Sequence, residues 1–222
     1  MADQRLLFSK TGRARFISHL DLMRTFQRAF LRAGIPIRHT EGFHPHAFVS
    51  IALPLSVGYA SQCELLDFGL LGDTRKEEVP ERLNAVLPEG IRVLSCGDAL
   101  LPVKSMVYLD YTVMMEYDSG NGVAAAERLT ELLSRPNLVI QKRSKKAKSG
   151  FTEVDLIPLI RTYSLQLDGD YVTLYITVKA QDPGLNPALV MEALTAESPT
   201  LTPQAVSYQR VRIRDKNGEP LF

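Results

Sequence analysis

Phe16-Ile-Ser-His-Leu-Asp-Leu-Met-Arg-Thr-Phe-Gln-Arg-Ala-Phe-Leu-Arg-Ala-Gly34 is the stretch that decides how this chain begins to fold. Ser18 stands where a helix N-cap belongs, and Asp21 follows three residues on in the capping-box position. Stepped at about 100° per residue, Leu22, Met23, Phe26, Ala29, Phe30 and Ala33 fall within one arc of about 120°, the width of a core-facing stripe. Arg24, Arg28 and Arg32 recur at every fourth position on the opposite side. Gly34 suits the residue after the last turn, and Pro36 cannot continue the helix. The stretch therefore predicts an amphipathic helix with a core side and a cationic side. His19 breaks the pattern. Its angle points it into the apolar arc at the first turn, where the positive end of a helix favours neutral imidazole. The expectation is a structural, hydrogen-bonded histidine or one that lines a site.

Outward from this helix, Arg5-Leu-Leu-Phe-Ser9 is a short apolar run bounded by Lys10-Thr-Gly12, which predicts a first strand. Arg13 and Arg15 lie between the two. On the other side, residues 35–50 contain Pro36, Gly42 and Pro45, so a long shaped loop is expected. All four histidines fall within this first quarter: His19, His39, His44 and His46. In the loop, Arg38, His39, Phe43, His44 and His46 interleave an aromatic ring with cationic or titratable groups, the pattern of surfaces that stack bases and contact phosphates. His44-Pro-His46 has a chelate-like spacing, but zinc needs a third ligand and none can be named, so no metal site is assigned.

The chain's 222 residues suffice for one large or two small domains. No apolar run reaches the roughly 20 residues of a membrane helix, and no signal-peptide core is present, so no membrane partner is expected. Two cysteines far apart, Cys63 and Cys96, fit a reducing cytoplasm and cannot ligate an iron–sulfur cluster by themselves. Net charge is only +1, but it is unevenly spread. Residues 1–50 hold eight Lys/Arg against three Asp/Glu, and residues 141–150 hold five against none. Two concentrated basic segments in a near-neutral chain fit a local polyanion footprint. RNA is the expected polyanion, not DNA. The second segment holds Lys142, Arg143, Lys145, Lys146 and Lys148, which would contact phosphates without choosing sequence.

Strand- and helix-type patterns follow in an order that repeats. Ile51–Val57, Glu64–Leu70 and Ile91–Ser95 read as strands and Glu77–Leu87 as a helix, which gives β, α, β, β, α, β. After a junction at Leu100–Ser105 come a strand from Val107 to Tyr117, a helix from Val123 to Leu133, and a strand at Leu138–Ile140. Then follow a hairpin across Asp168-Gly169, a helix from Asn186 to Ala196 and a last strand from Ala205 to Ile213. The expected fold is α+β: two tandem ferredoxin-like (split βαβ) units with mostly antiparallel sheets. Residues 1–100 would form the first, carrying the His/Arg motif, and 106–222 the second, with a basic insertion at 141–158. Ser18-His19-x-Asp21 is not a catalytic triad, because a helix start splays these side chains apart. Ser119-Gly-Asn-Gly122 lacks the spacing of a phosphate-binding loop and reads as a turn.

Four segments, Phe16–Arg24, Arg28–Pro36, Glu41–His46 and Ala52–Gly58, together resemble the radical-SAM-linked protein family, a domain of unknown function found alone or fused to the C-terminal end of radical-SAM proteins. The similarity extends to the basic run and Asp155–Ile160. It implies a radical-SAM partner that holds the iron–sulfur cluster and S-adenosylmethionine, with no cofactor in this chain. Three functions follow as expectations. The first is a non-catalytic accessory protein that binds tRNA or rRNA, or presents substrate to that partner. The arginines and the 142–148 run would contact phosphates, while Phe43, His44 and His46 would meet a base or substrate. The second is a metal-independent endoribonuclease using His19, His44 or His46, by analogy with CRISPR repeat-processing enzymes of doubled ferredoxin-like fold; residues 203–214 lack the glycines those enzymes carry. The third is a module that docks the radical-SAM enzyme through exposed apolar residues around Val49–Val57.

Overall fold

The computed structural model describes residues 3–118, 120–143 and 150–221. It is a mixed α+β structure with a mostly antiparallel main sheet and, among the described residues, four α-helices, and it divides into two units. Residues 1–106 form the first unit together with Gln209–Arg212; the second comprises Val107–Tyr208 and Ile213–Leu221.

The first unit runs β1 (Gln4–Lys10), α1 (His19–Arg32), β2 (Val49–Ala52), β3 (Ala60–Phe68), α2 (Val79–Asn84) and β4 (Ile91–Asp98). Its strands lie in the order β4-β1-β3-β2, every neighbouring pair antiparallel. Gln209 and Arg210 add a short parallel pairing with Ala60 and Ser61 at the start of β3. The helices cover one face because alternation in the strands matches the apolar stripe of α1. Leu6 and Phe8 in β1 and Leu66 and Phe68 in β3 join Leu22, Phe26, Ala29 and Phe30 in one core. Phe8 meets Phe26 edge-on with ring centroids 4.8 Å apart. Each such fully buried side chain contributes roughly 1.5–3 kcal/mol through removal of apolar surface from water.

Two expected boundaries shift. The run Ile51–Val57 is a strand only to Ala52, because Leu53 takes a left-handed φ of +50° and Pro54 follows. The helix expected over Glu77–Leu87 shortens to Val79–Asn84, after a 3₁₀ turn at Lys76–Glu78.

The second unit runs β5 (Tyr108–Glu116), α3 (Asn121–Leu133), β6 (Val139–Arg143), β7 (Phe151–Asp155), β8 (Ile160–Asp168), β9 (Tyr171–Lys179), α4 (Ala188–Glu197) and β10 (Ala205–Arg214). Strand order is β10-β5-β9-β8, with β5–β9 and β9–β8 antiparallel. Gly169, with φ +58°, supplies the turn between β8 and β9. The segment Leu138–Ile140, expected as a strand, feeds β6, which pairs antiparallel with β7 as a separate two-stranded ribbon. The first residues of the basic segment, Gln141 to Arg143, thus lie on this ribbon. Lys142 is exposed opposite Thr152, and Arg143 ends β6. Ser119, Lys145, Lys146 and Lys148 lie outside the described residues. Among the described residues no helix is long and apolar enough to cross a membrane.

Candidate nucleic-acid interface

The N-terminus of α1 is built as its sequence dictates. The Ser18 hydroxyl accepts a hydrogen bond from the Asp21 amide at 3.2 Å and donates to the Asp21 carboxylate at 2.7 Å. The turn ahead of it is held from beneath by Lys10. This side chain, 1% exposed, donates to the carbonyls of Arg15 at 3.4 Å and Ile17 at 3.5 Å. Burial lowers the Lys10 pKa below the ordinary lysine value; Glu64 partly offsets this and Arg210 adds to it. At the other end of α1, Arg82 donates to the carbonyls of Ala33 at 2.9 Å and Gly34 at 3.0 Å, groups the helix leaves unpaired.

Arg24, Arg28 and Arg32 are all exposed on the side of α1 away from the core. Arg24 makes a surface ion pair with Asp21 at 3.4 Å, a contact weak enough to exchange for a phosphate. Arg32 donates to the Val86 carbonyl at 2.8 Å. The loop after α1 folds back as a narrow excursion. Arg38 N bonds Gly69 O, Phe48 N bonds Arg38 O and Thr40 N bonds His46 O, each at 2.8 Å. Gln27 of α1 donates to the Ala47 carbonyl at 2.8 Å, which pins the base of this excursion beside the helix. At its tip Phe43 is fully exposed. His39, His44 and His46 are exposed too, and His46 Nδ1 lies 3.1 Å from Thr40 Oγ1 and 3.2 Å from the His44 carbonyl. Arg38 reaches Asp3 at 3.5 Å.

The site residues named from sequence in the first quarter thus gather on one unit: the arginine side of α1 and the excursion that Gln27 holds to it. Lys142 and Arg143 belong to the other unit. His19 is only half-buried and stands outside the core cluster, contrary to its expected place within the apolar arc. The first turn is where the helix emerges from its neighbours, so the angle that means burial further along does not mean it here. Of the apolar surface expected around Val49–Val57, Val49, Ile51 and Ala52 are core, while Pro54 and Val57 are exposed and Leu53 and Leu55 are half-buried. Among the described residues no three His, Cys, Asp or Glu side chains stand together as metal ligands.

One contact was missed. Phe16 is 60% exposed, and the Arg15 guanidinium lies over its ring at 4.7 Å from the centroid. Adjacent Arg and Phe just before a helix cap were the available signal.

Residues 4–199 match a family described as "Uncharacterized protein conserved in bacteria (DUF2344)". The chain belongs to this family. A comparison with curated proteins gives no match. Among solved structures, a chain of a Cbf5-Nop10-Gar1 complex is similar to this DUF2344 chain with a TM-score of 0.53 at 8% identity, covering 96% of this chain and 49% of its own. A chain of the archaeal box H/ACA sRNP Nop10-Cbf5 complex gives a TM-score of 0.41 at 10% identity, covering 96% and 48%. The DUF2344 chain spans about half the length of either neighbour. At these identities the first likeness concerns the fold alone.

Proposed function

We propose that this DUF2344 protein is a non-catalytic RNA-binding accessory protein whose first unit grips a tRNA or rRNA segment. Arg24, Arg28 and Arg32 contact phosphates, joined by Arg13, Arg15 and Arg38, while Phe43 with His39, His44 and His46 meets an unpaired base. One observation carries this reading: three exposed arginines stand one helical turn apart beside an excursion that ends in a fully exposed phenylalanine. Successive turns advance about 6 Å, so the guanidinium groups are spaced to meet a run of phosphates, and an exposed ring costs contact with water unless it stacks on something.

Salt dependence is the test. In fluorescence anisotropy with tRNA and rRNA fragments, affinity should fall steeply with salt. Arg24→Gln/Arg28→Gln/Arg32→Gln should reduce the slope of log K against log salt by about 2, at about 0.7 per lost single-strand phosphate contact. A slope unchanged by the three substitutions overturns the assignment.

Two finer readings belong with it. Each unit is read as a ferredoxin-like split βαβ; the strand orders β4-β1-β3-β2 and β10-β5-β9-β8 support this, with β6 and β7 as an insertion. The sequence resemblance suggests that the bound RNA is presented to a radical-SAM enzyme in the cytoplasm. Co-purification that survives RNase treatment would reveal such a partner.

A further inference from the structure

The second unit's sheet has one helix-covered face and one open face. Along β5 and β9, Val113, Met115, Val172, Leu174 and Ile176 are buried, and α3 contributes Ala125, Leu129 and Leu132 to the same core. Residues between them point the opposite way, as alternation requires. Among these Met114 is 47%, Tyr171 45% and Tyr175 44% exposed. The cross-strand register sets Met114 opposite Thr173, midway between the two tyrosines on β9. At about 3.3 Å per residue the tyrosines stand about 13 Å apart, with Met114 about halfway. Each half-step is within the reach of one nucleotide of an unstacked strand. Neighbours on this face include Thr112, Ser164 and Gln166, so the apolar groups are isolated and form no continuous patch of the kind a stable protein interface buries.

Charge divides the face by ends. At one end the Arg161 guanidinium lies over the Tyr108 ring, 4.7 Å from its centroid, and donates to the Asn217 carbonyl at 2.9 Å in the C-terminal turn, while Lys179 stands directly opposite Tyr108. At the other end Glu116 and Asp168 flank Tyr171 on its two neighbouring strands. Between them Arg214 neutralises Asp110 at 2.7 Å. Lys179 and the remaining Arg161 donors complement a phosphate at this end. Carboxylates accept hydrogen bonds from the exocyclic amino groups of adenine and cytosine, and tyrosine and methionine faces are sequence-tolerant stacking surfaces.

We propose that this open sheet face is a second RNA site, separate from α1, which takes a single-stranded segment of about three nucleotides. The bases lie on Tyr175, Met114 and Tyr171, a phosphate sits at Arg161 and Lys179, and an amino-bearing base meets Glu116. The proposal rests on the reading that the chain binds RNA, and its test separates the two.

The chain contains no tryptophan, so Tyr175→Trp creates a single reporter on the platform while keeping an aromatic face. In the full chain, hexa-adenylate should quench its emission at lower concentration than hexa-uridylate. Tyr171→Ala in this background should weaken hexa-adenylate binding about tenfold. The quench should persist in the Arg24→Gln/Arg28→Gln/Arg32→Gln variant. Unchanged emission while labelled hexa-adenylate still binds by anisotropy overturns the sheet site and leaves the α1 reading standing. No binding of either oligonucleotide, or of tRNA, by any signal overturns both. Emission that follows protein concentration and ignores RNA makes the face a self-association surface and overturns the proposal. Tyr171→Ala/Tyr175→Ala, followed by anisotropy alone, decides the matter without the reporter; equal affinity to the unsubstituted chain overturns it.

Discussion

Glu64 and Arg210 are 146 positions apart and almost wholly buried, 0% and 1% exposed. Arg210 donates to Glu64 Oε1 through both Nε and Nη2, and its Nη1 reaches the Leu53 carbonyl at 2.8 Å. Removing one member of a buried charge cluster strands what it compensated. Glu64 also offsets the burial of Lys10, so only removal of all three groups leaves no buried charge behind. Arg210→Met should therefore cost about 3–5 kcal/mol in urea unfolding, and Arg210→Met/Glu64→Leu/Lys10→Met should cost much less. Equal losses for the single and triple variants would show that the cluster does not control stability. Nothing in sequence announced this contact, because neither residue stands in a local motif. The candidate-site residues were easier. Arg24, Arg28 and Arg32 are legible because helical periodicity alone says which way they face, and Phe43 because a loop of Pro and Gly leaves a ring little to pack against. His19 is half-buried, because periodicity says which way a first-turn residue points but not how much covers it.

At the scale of elements, α1 needs nothing from afar to start and stop. Ser18 satisfies the Asp21 amide, and Gly34, with φ +64°, leaves the helix in the left-handed region where glycine is favoured. Ser18→Ala should lower stability by about 1 kcal/mol in thermal unfolding, and Ser18→Asn should restore most of it. No loss on Ser18→Ala would mean the hydroxyl is not the working cap. The second helix obeyed a distant partner instead. Asn84 exchanges two hydrogen bonds of 2.8 Å with the backbone of Val93 in β4, and the chain leaves the helix there although Val86 and Leu87 keep the apolar period. Pro80 suits the first turn, which moves the start to Val79. The short run Leu138–Ile140 looked like any buried strand; its pairing with β7 was a choice among partners that composition does not encode.

At the scale of the molecule, the last strand matters most. Part of β10 counts with the first unit, through Gln209–Arg212, and the remainder with the second, where it lies beside β5. A chain ending before Ala205 loses Arg210 from Glu64 and uncovers an edge of β5. It should show a lowered thermal midpoint and faster proteolysis in both units; an unaltered transition for residues 1–106 would refute the dependence. By itself, the sequence determined the alternation of strand and helix, the amphipathic α1 with its caps, the cationic side of that helix and the exposed ring beside it. Those follow from spacing over a few residues, where backbone geometry fixes which side chains share a face. The tertiary structure alone decided the strand orders, the detached β6–β7 ribbon, the buried Lys10–Glu64–Arg210 cluster and the open tyrosine face. These depend on which hydrogen-bonding edges meet and what remains uncovered afterwards, and that competition is settled only when the whole chain packs.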